Sequence, residues 1–371
     1  MNMGQEGWFD EEFRLALQDL DPKASVGFGP LSRLGATIGT ALDYDPVRAE
    51  FNPSRVALLK DWTRIRMQEP EAPDPILVFV KPEPHSTQKL EEGRYRLISA
   101  VGMVDTMVDR VMFGWLQRAV MSNVGRTPVM VGWSPYKGGY RHVSLRFAGR
   151  RALCIDRKSW DWTVPGWLLK IARHVIAELA VGAPQFWLDW LEKRWIALFR
   201  DAVFGFRSGE RIQQPGWGVM KSGCYLTILL NSICQVILHF LACARLGIDP
   251  QWELYFCMGD DSVQAVMGLL NEYLDELRGM GSIIKEWTAS EDIEFCGHKL
   301  GITSVRPVYL HKHMFKIITA DRDLLPLLLS AYQCAYAHDQ ELWIWLTREL
   351  TKVAPALVRK RAACLSLLHE G

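Results

Sequence analysis

The stretch Leu254-Tyr-Phe-Cys-Met258-Gly259-Asp260-Asp261-Ser262-Val263-Gln264-Ala265-Val266 reads as two short apolar strands joined by a tight turn. Tyr, Phe and Val fit the pleated surface of a strand, and Gly-Asp is a preferred hairpin connection. A strand that ends on Asp holds a charge rigidly at a solvent-facing edge. By itself Gly259-Asp260-Asp261 is no more than a favoured turn sequence.

Upstream, Arg151-Ala-Leu-Cys-Ile-Asp156 is a second apolar strand that ends on a carboxylate, with Asp161 five residues further on. Two such strands side by side make a cluster of acids that repel one another unless a cation sits among them. Hard oxygen ligands select Mg²⁺, with Mn²⁺ as a substitute, and two ions ~3.5–4 Å apart can clamp the attacking and leaving oxygens of a phosphoryl transfer. Between the acid strands lies Lys221-Ser222-Gly223-Cys-Tyr-Leu-Thr227-Ile-Leu-Leu-Asn231-Ser232. Ser222-Gly223 is a loop entering a helix, on which Thr227 and Asn231 share a face. That face either serves the helix itself, by capping and back-bonding, or hydrogen-bonds a sugar hydroxyl.

The rest of the chain supplies a frame. At 371 residues it exceeds what one core usually holds, so two or three subdomains are expected. Residues 8–20 form an amphipathic helix, and 21–55, rich in Gly, Pro and Ser, an extended strap. Ile76 to Val80 is a strand, Leu97 to Val120 a helix and Trp167 to Ala180 another. Ala202 to Gln214 is a hairpin, followed by helices over Ser222 to Leu246 and Leu269 to Met280. Short strands surround Phe295 and Phe315, and the remainder is helical. Strands scattered irregularly among helices predict the α+β class. Leu226 to Leu246 has the length of a membrane span, but Asn231, Ser232, Gln235, His239 and Arg245 favour a buried helix, so no transmembrane segment is expected.

Lys and Arg number 43 and Asp and Glu 42, so net charge identifies no partner. The distribution is less even: Lys81 to Arg151 holds twelve Lys/Arg and five Asp/Glu, which suggests a local anionic ligand or a solvated face. The eight cysteines form no zinc or CxxC spacing and fit free thiols in a reducing compartment.

Taken in order, these segments resemble the motifs of viral RNA-dependent RNA polymerases, in particular the sobemovirus, luteovirus and barnavirus-like group. Asp156-x4-Asp161 resembles motif A, Ser222-Gly223-x3-Thr227-x3-Asn231 motif B and Gly259-Asp260-Asp261 motif C. Lys81-Pro-Glu-Pro-His85 and Gly93-Arg94-Tyr95-Arg96-Leu97-Ile98 look like the basic motif F. Lys285 stands where motif D carries its lysine. Glu294-Phe295-Cys296-Gly297 and His313-Met314-Phe315-Lys316 resemble the motif E hairpin. One departure is Gly297, where related sequences often continue with Ser.

The resemblance implies a right-hand fold, with fingers from 1–96 and 183–217, a palm of antiparallel sheet backed by helices from 97–182 and 218–305, and a small helical thumb from 306–371. It implies RNA-templated attack of a primer 3′-hydroxyl on an NTP, releasing pyrophosphate. Asp156 and Asp260 would ligate two Mg²⁺, with Asp261 a weaker ligand. Lys81, Arg94 and Arg96 would hold the triphosphate. Asp161, Ser222, Gly223, Thr227 and Asn231 would contact the nucleotide, and Asp161 and Asn231 would read its 2′-hydroxyl. Lys285 is either the general acid for pyrophosphate or a solvated turn lysine. Trp160 and Trp162 pack the palm rather than stack on bases. Expected partners are template and product RNA, NTPs and a genome-linked protein primer, inside a viral replication complex in the host cytoplasm. A reverse transcriptase and an inactive RNA-binding relative are the competing readings.

Overall fold

The computed structural model describes Met3 and residues 5–370. In chain order the elements are α1 (Trp8–Gln18), α2 (Ile38–Ala41), α3 (Pro53–Gln68), β1 (Ile76–Val80), α4 (Thr87–Glu91), β2 (Leu97–Ala100), α5 (Met103–Ser122) and α6 (Gly139–Ser144). There follow β3 (Ala152–Arg157), α7 (Trp160–Thr163), α8 (Gly166–Leu179), α9 (Gln185–Phe199), β4 (Val203–Gly205), β5 (Arg211–Gln213) and α10 (Thr227–Leu246). Then come β6 (Tyr255–Met258), β7 (Asp261–Ala265), α11 (Leu270–Gly279), β8 (Ile284–Ser290), β9 (Ile293–Phe295), β10 (His298–Leu300) and β11 (Val305–Pro307). Four helices close the chain: α12 (Leu310–Ile318), α13 (Leu325–Ala335), α14 (Gln340–Val353) and α15 (Arg361–His369). Helix and sheet are mixed as the α+β expectation requires.

The chain divides into two compact units. Unit 1 comprises 1–122, 158–238 and 277–283; unit 2 comprises 123–157, 239–276 and 284–371.

Unit 1 holds a sheet in the order β2-β1-β4-β5. β1 runs antiparallel to β2, from Leu77↔Ala100 to Val80↔Leu97, and parallel to β4. Phe13, Leu59, Met103, Met107 and Val111 build a core from α1, α3 and α5. Arg194 on α9 is 1% exposed and donates two bonds to Asp109 on α5, at 2.7 and 2.8 Å. Arg66 on α3 bonds Asp105 at 2.8 Å and Asp74 at 3.3 Å. Burying these charges is tolerable only because each is paired in fork geometry.

Unit 2 holds an antiparallel sheet in the order β6-β7-β3-β8 and a second sheet in the order β11-β10-β9. Trp133, Tyr140, Phe147, Phe256, Val263 and Phe295 form its main core. Leu329, Tyr336, Leu346 and Leu350 form a smaller one among α13 and α14.

Four expectations need correction. The strap over 21–55 is interrupted by α2 and ends where α3 begins. Asn52 accepts from the N–H groups of Ser54 and Arg55, and Pro53 takes the first helical position. Only Leu59 and Thr63 of α3 are buried, so no apolar stripe announced it. Leu97 to Ala100 is not the first turn of a helix but β2, because β1 offers it a ladder, and the helix starts only after Gly102. Phe315 lies in α12 rather than a strand; the strands of that region are β9, β10 and β11. Finally, Lys285 is not on a turn. It sits in β8, whose exposed, polar residues show no alternation to read.

Five of the eight cysteines are buried and three half-buried. α10 is long and apolar enough to cross a membrane by length and composition, but 61% of its most apolar window is buried. Asn231, Ser232, Gln235 and His239 are among its buried residues.

Candidate active site

The carboxylates lie in unit 2. β6 and β7 pair through Met258↔Asp261, which leaves Gly259-Asp260 as a two-residue turn with Gly259 at φ +68°. Glycine reaches that conformation without steric cost, which is why two residues suffice to turn the chain, with Asp260 in the turn and Asp261 opening β7. β3 pairs β7 up to Ile155↔Ser262. The same register carries Asp156 to the place opposite Asp261, where cross-strand side chains are near neighbours. Burial pushes the Asp261 carboxyl up to about 7, and the negative charges of Asp260, Asp156 and Glu294 push the same way. Acids crowded in this way fit a hard divalent cation chemically. Among the described residues, however, no three His, Cys, Asp or Glu side chains converge as a ready-made cage.

Lys285 stands against one of these acids. Its ammonium lies 2.5 Å from Asp156 Oδ2 and 2.9 Å from Glu286 Oε1, and the hydrogen bond to Asp156 raises its pKa most. It neutralises one member of the acid group from the neighbouring strand.

Arg157, one residue beyond Asp156, is buried. It donates at 3.3 Å to the backbone carbonyl of Asp260 and at 3.3 Å to Ser262 Oγ. The acid-bearing turn is therefore tied to β3 by a side chain as well as by the ladder.

A second group lies in unit 1. Asn231 Nδ2 donates to Asp161 Oδ1 at 2.8 Å, and Trp160 Nε1 donates to Asn231 Oδ1 at 3.0 Å. One bond to each end of the amide fixes which way Asn231 faces. Thr227 does not share this arrangement: its hydroxyl sits 2.5 Å from Lys221 O and 2.7 Å from Cys224 O, closing the loop ahead of α10. Ser222 Oγ accepts from Ser99 N at 3.0 Å, and Gly223 N donates to Ser99 O at 3.0 Å. A side chain at Gly223 would place its Cβ 2.6 Å from Ser99 O, so only glycine lets the loop lie against β2 this closely.

The basic residues of unit 1 gather just past the β1/β2 ladder. Lys81 N donates to Arg96 O at 2.8 Å, and both side chains meet Glu83, at 2.9 and 3.4 Å. Arg96 N donates to His85 Nε2 at 3.0 Å. Arg94 stands apart, paired with Glu92.

A family model described as viral RNA-dependent RNA polymerase matches residues 59–309. The chain belongs to this family. It is 28% identical over 328 residues to the replicase polyprotein P2AB of Southern cowpea mosaic virus, covering 83% of this chain and 33% of that one. It is 28% identical over 335 residues to protein P1-P2 of Potato leafroll virus, covering 84% and 30%. The RNA-directed RNA polymerase of Mushroom bacilliform virus is 28% identical over 253 residues, covering 66% and 60%. The chain thus spans about a third of the length of the first two relatives.

For this member of the family, sequence reasoning missed Trp160, Arg157 and Glu83 as neighbours of the expected site residues. Trp160 is buried, with its indole N–H committed to Asn231, and Trp162, although 40% exposed, packs against the Phe204 ring at 6.1 Å. The aromatic-acid-aromatic run was the one signal that could have suggested it. Nothing in the sequence marked Arg157 or Glu83.

Proposed function

We propose that this chain makes RNA on an RNA template, joining ribonucleoside triphosphates to a primer 3′-hydroxyl with release of pyrophosphate. The observation that carries the proposal is the β3/β7 register, which sets Asp156 across from Asp261 with Asp260 at the adjoining turn, in a chain of a polymerase family. Asp156 and Asp260 would hold two Mg²⁺, or Mn²⁺ in their place, with Asp261 the weaker ligand. When bound, such ions activate the attacking hydroxyl and neutralise charge on the leaving pyrophosphate.

The remaining work falls to the chain's own residues. Lys81, Arg94 and Arg96 would exchange Glu83 and Glu92 for triphosphate oxygens, which guanidinium forks bind in pairs. Asp161 and Asn231 would accept and donate to the ribose 2′-hydroxyl, while Ser222, Gly223 and Thr227 hold the loop that presents Asn231. Lys285 would release Asp156 and give its proton to pyrophosphate. In the layout this entails, fingers span 1–96 and 183–217, the palm 97–182 and 218–305 and the thumb 306–371. RNA, NTPs and a protein-linked primer would be its partners, within a replication complex in the host cytoplasm.

Primer extension on an RNA template tests the proposal. Mg²⁺-dependent incorporation of NTPs, and not dNTPs, is expected; no incorporation with either set overturns it.

A further inference from the structure

Residues 110–155 contain eight Lys or Arg and no Asp or Glu. Six of these cations belong to unit 2: Arg126, Lys137, Arg141, Arg146, Arg150 and Arg151. All are exposed except Arg146, which is half-buried. Among the described residues none of the six forms an ion pair. The side-chain bonds they make run to neutral oxygens: Arg146 to the carbonyls of Glu253 and Gly125, Arg141 to Tyr140 Oη and Arg151 to the carbonyl of Ala289. The basic residues of unit 1 contrast with this, since Lys81, Arg94, Arg96 and Arg118 each meet a glutamate.

Five of the six follow one another along the chain around α6, whereas the Arg151 side chain reaches β8, the sheet edge opposite the β6 ring that Arg146 covers. Lys137 to Arg146 spans α6 and the turn of 3₁₀ helix that follows it, about 15 Å at ~1.5–2 Å per residue. Arg146 lies over the Phe256 ring and reaches back to Gly125, beside Arg126. Arg150 and Arg151 come just before β3. Like charges along this short stretch repel, and no ion pair among the described residues offsets that repulsion, which an external anion would relieve.

Five of the six are arginine, whose planar fork matches phosphate oxygens in pairs. A membrane surface would also supply phosphate, but it calls for apolar anchors, and Leu145 is the one large apolar side chain exposed between residues 123 and 151. Arg151 and Asp156 stand at opposite ends of β3, some 16 Å apart at ~3.3 Å per residue. What Arg151 binds is therefore not the group reacting at the acids.

Resting on the reading of the chain as a polymerase, we propose that the α6 face of unit 2 binds the phosphate backbone of RNA away from the reacting end. The contact is independent of base sequence and holds a long template or product on the enzyme.

The test is the triple variant Arg126→Gln/Lys137→Gln/Arg150→Gln, whose three side chains make no bond that holds the fold. Fluorescence anisotropy follows its binding to a ~30-nucleotide unstructured RNA between about 50 and 200 mM salt. Three lost phosphate contacts should lower the slope of log affinity against log salt by about 2. Single-nucleotide addition at saturating short primer–template should stay at the wild-type rate. The charge-keeping variant Arg126→Lys/Arg150→Lys should retain the full slope. An unchanged slope and affinity in the triple variant overturn the proposal. So does unchanged RNA binding accompanied by lost binding to phosphatidylserine vesicles, which would assign the face to a membrane. A reduced slope upholds the surface whether or not the wild-type chain extends a primer. A wild-type chain that binds RNA but incorporates nothing overturns the polymerase reading alone.

Discussion

Lys285 Nζ on β8 lies 2.5 Å from Asp156 Oδ2 on β3. The two strands are neighbours in one sheet, but the pairing shifts between Asp156 and Arg157. That irregularity brings the lysine, one residue off the regular Asp156↔Glu286 pair, onto the acid. The ammonium thus sits beside a carboxylate proposed to bind metal, and cation and ammonium compete for the same oxygen.

Removing the ammonium should therefore favour the metal. In Lys285→Met the Mg²⁺ concentration for half-maximal incorporation should fall about two- to fivefold, the scale of one exposed ion pair. The maximal rate should fall as well, because the proton donor is gone. A Mg²⁺ titration of incorporation separates the effects: an unchanged half-point with a wild-type rate would leave Lys285 no part in either.

Asp260 sits at the exposed turn, so its loss should spare the fold. Asp260→Asn should cut incorporation by more than about 100-fold, since even outer-shell changes at metal sites cost 10–100-fold, while RNA binding by anisotropy persists through phosphate contacts elsewhere. Primer extension near the wild-type rate would remove Asp260 from the ligand set.

The amide of Asn231 is held at both ends, by Trp160 and by Asp161. A site arranged around a hydroxyl discriminates against its absence because the site's own groups are left unpaired. Asn231→Ala should narrow the preference for NTP over dNTP by about tenfold or more, an unpaired buried group costing about 1–3 kcal/mol. Trp160→Phe keeps an aromatic side chain and loses the N–H, so it should narrow the preference less. Equal preference in both variants and wild type, measured as kcat/KM ratios, would place ribose selection elsewhere.

His239 provides a pH signature in unit 2. Its Nε2 faces the carbonyl of Pro250 at 2.7 Å, and its Nδ1 lies 2.9 Å from Tyr273 Oη, whose hydroxyl proton goes to Gln264 Oε1 at 2.9 Å. The ring stacks on Tyr255 at 4.0 Å. Burial lowers its pKa from 6.5 to about 4. Between those values the unfolded chain binds the extra proton and the folded chain does not, so stability rises with pH. The contribution is complete above pH 6.5 and lost on acidification toward 4, amounting to about 3 kcal/mol. Denaturation curves over this range should be flatter for His239→Gln than for wild type; parallel curves would refute the assignment.

Initiation follows from the C-terminal helices. α13, α14 and α15 contain 11, 14 and 9 residues and are joined by short connections, with no long inserted loop among described residues 306–370. A first nucleotide needs some element to rest on, and none is inserted here. Synthesis should therefore depend on a primer. Full-length product from a 3′-blocked linear RNA with NTPs alone would contradict this.

Much of the local structure was legible because it follows from adjacent residues. The strand carrying Asp156, the Gly259-Asp260 turn and the apolar run of α10 follow from alternation, turn preference and length, properties carried by adjacent residues. The same holds for the order of the motifs, and that order sufficed to name the family. The extent of β2 does not show in the sequence because Leu97-Ile98-Ser99-Ala100 suits helix and strand alike until a partner strand is present. The strand expected around Phe315 is α12, because the residue identities there match a hairpin motif while the period is helical.

What only the tertiary structure decided concerns pairs far apart in sequence. Asp156 meets Lys285 through a shifted register, and Asn231 meets Asp161 and Trp160 from another element. Thr227 turns back on its own loop, although its spacing put it on the face of Asn231. Gly223 is required by a β2 carbonyl more than a hundred residues away in the chain. Composition and spacing determine which groups are present and which face they occupy. Which of their hydrogen bonds are already taken depends on packing, because each donor or acceptor is satisfied by whatever group the fold brings nearest.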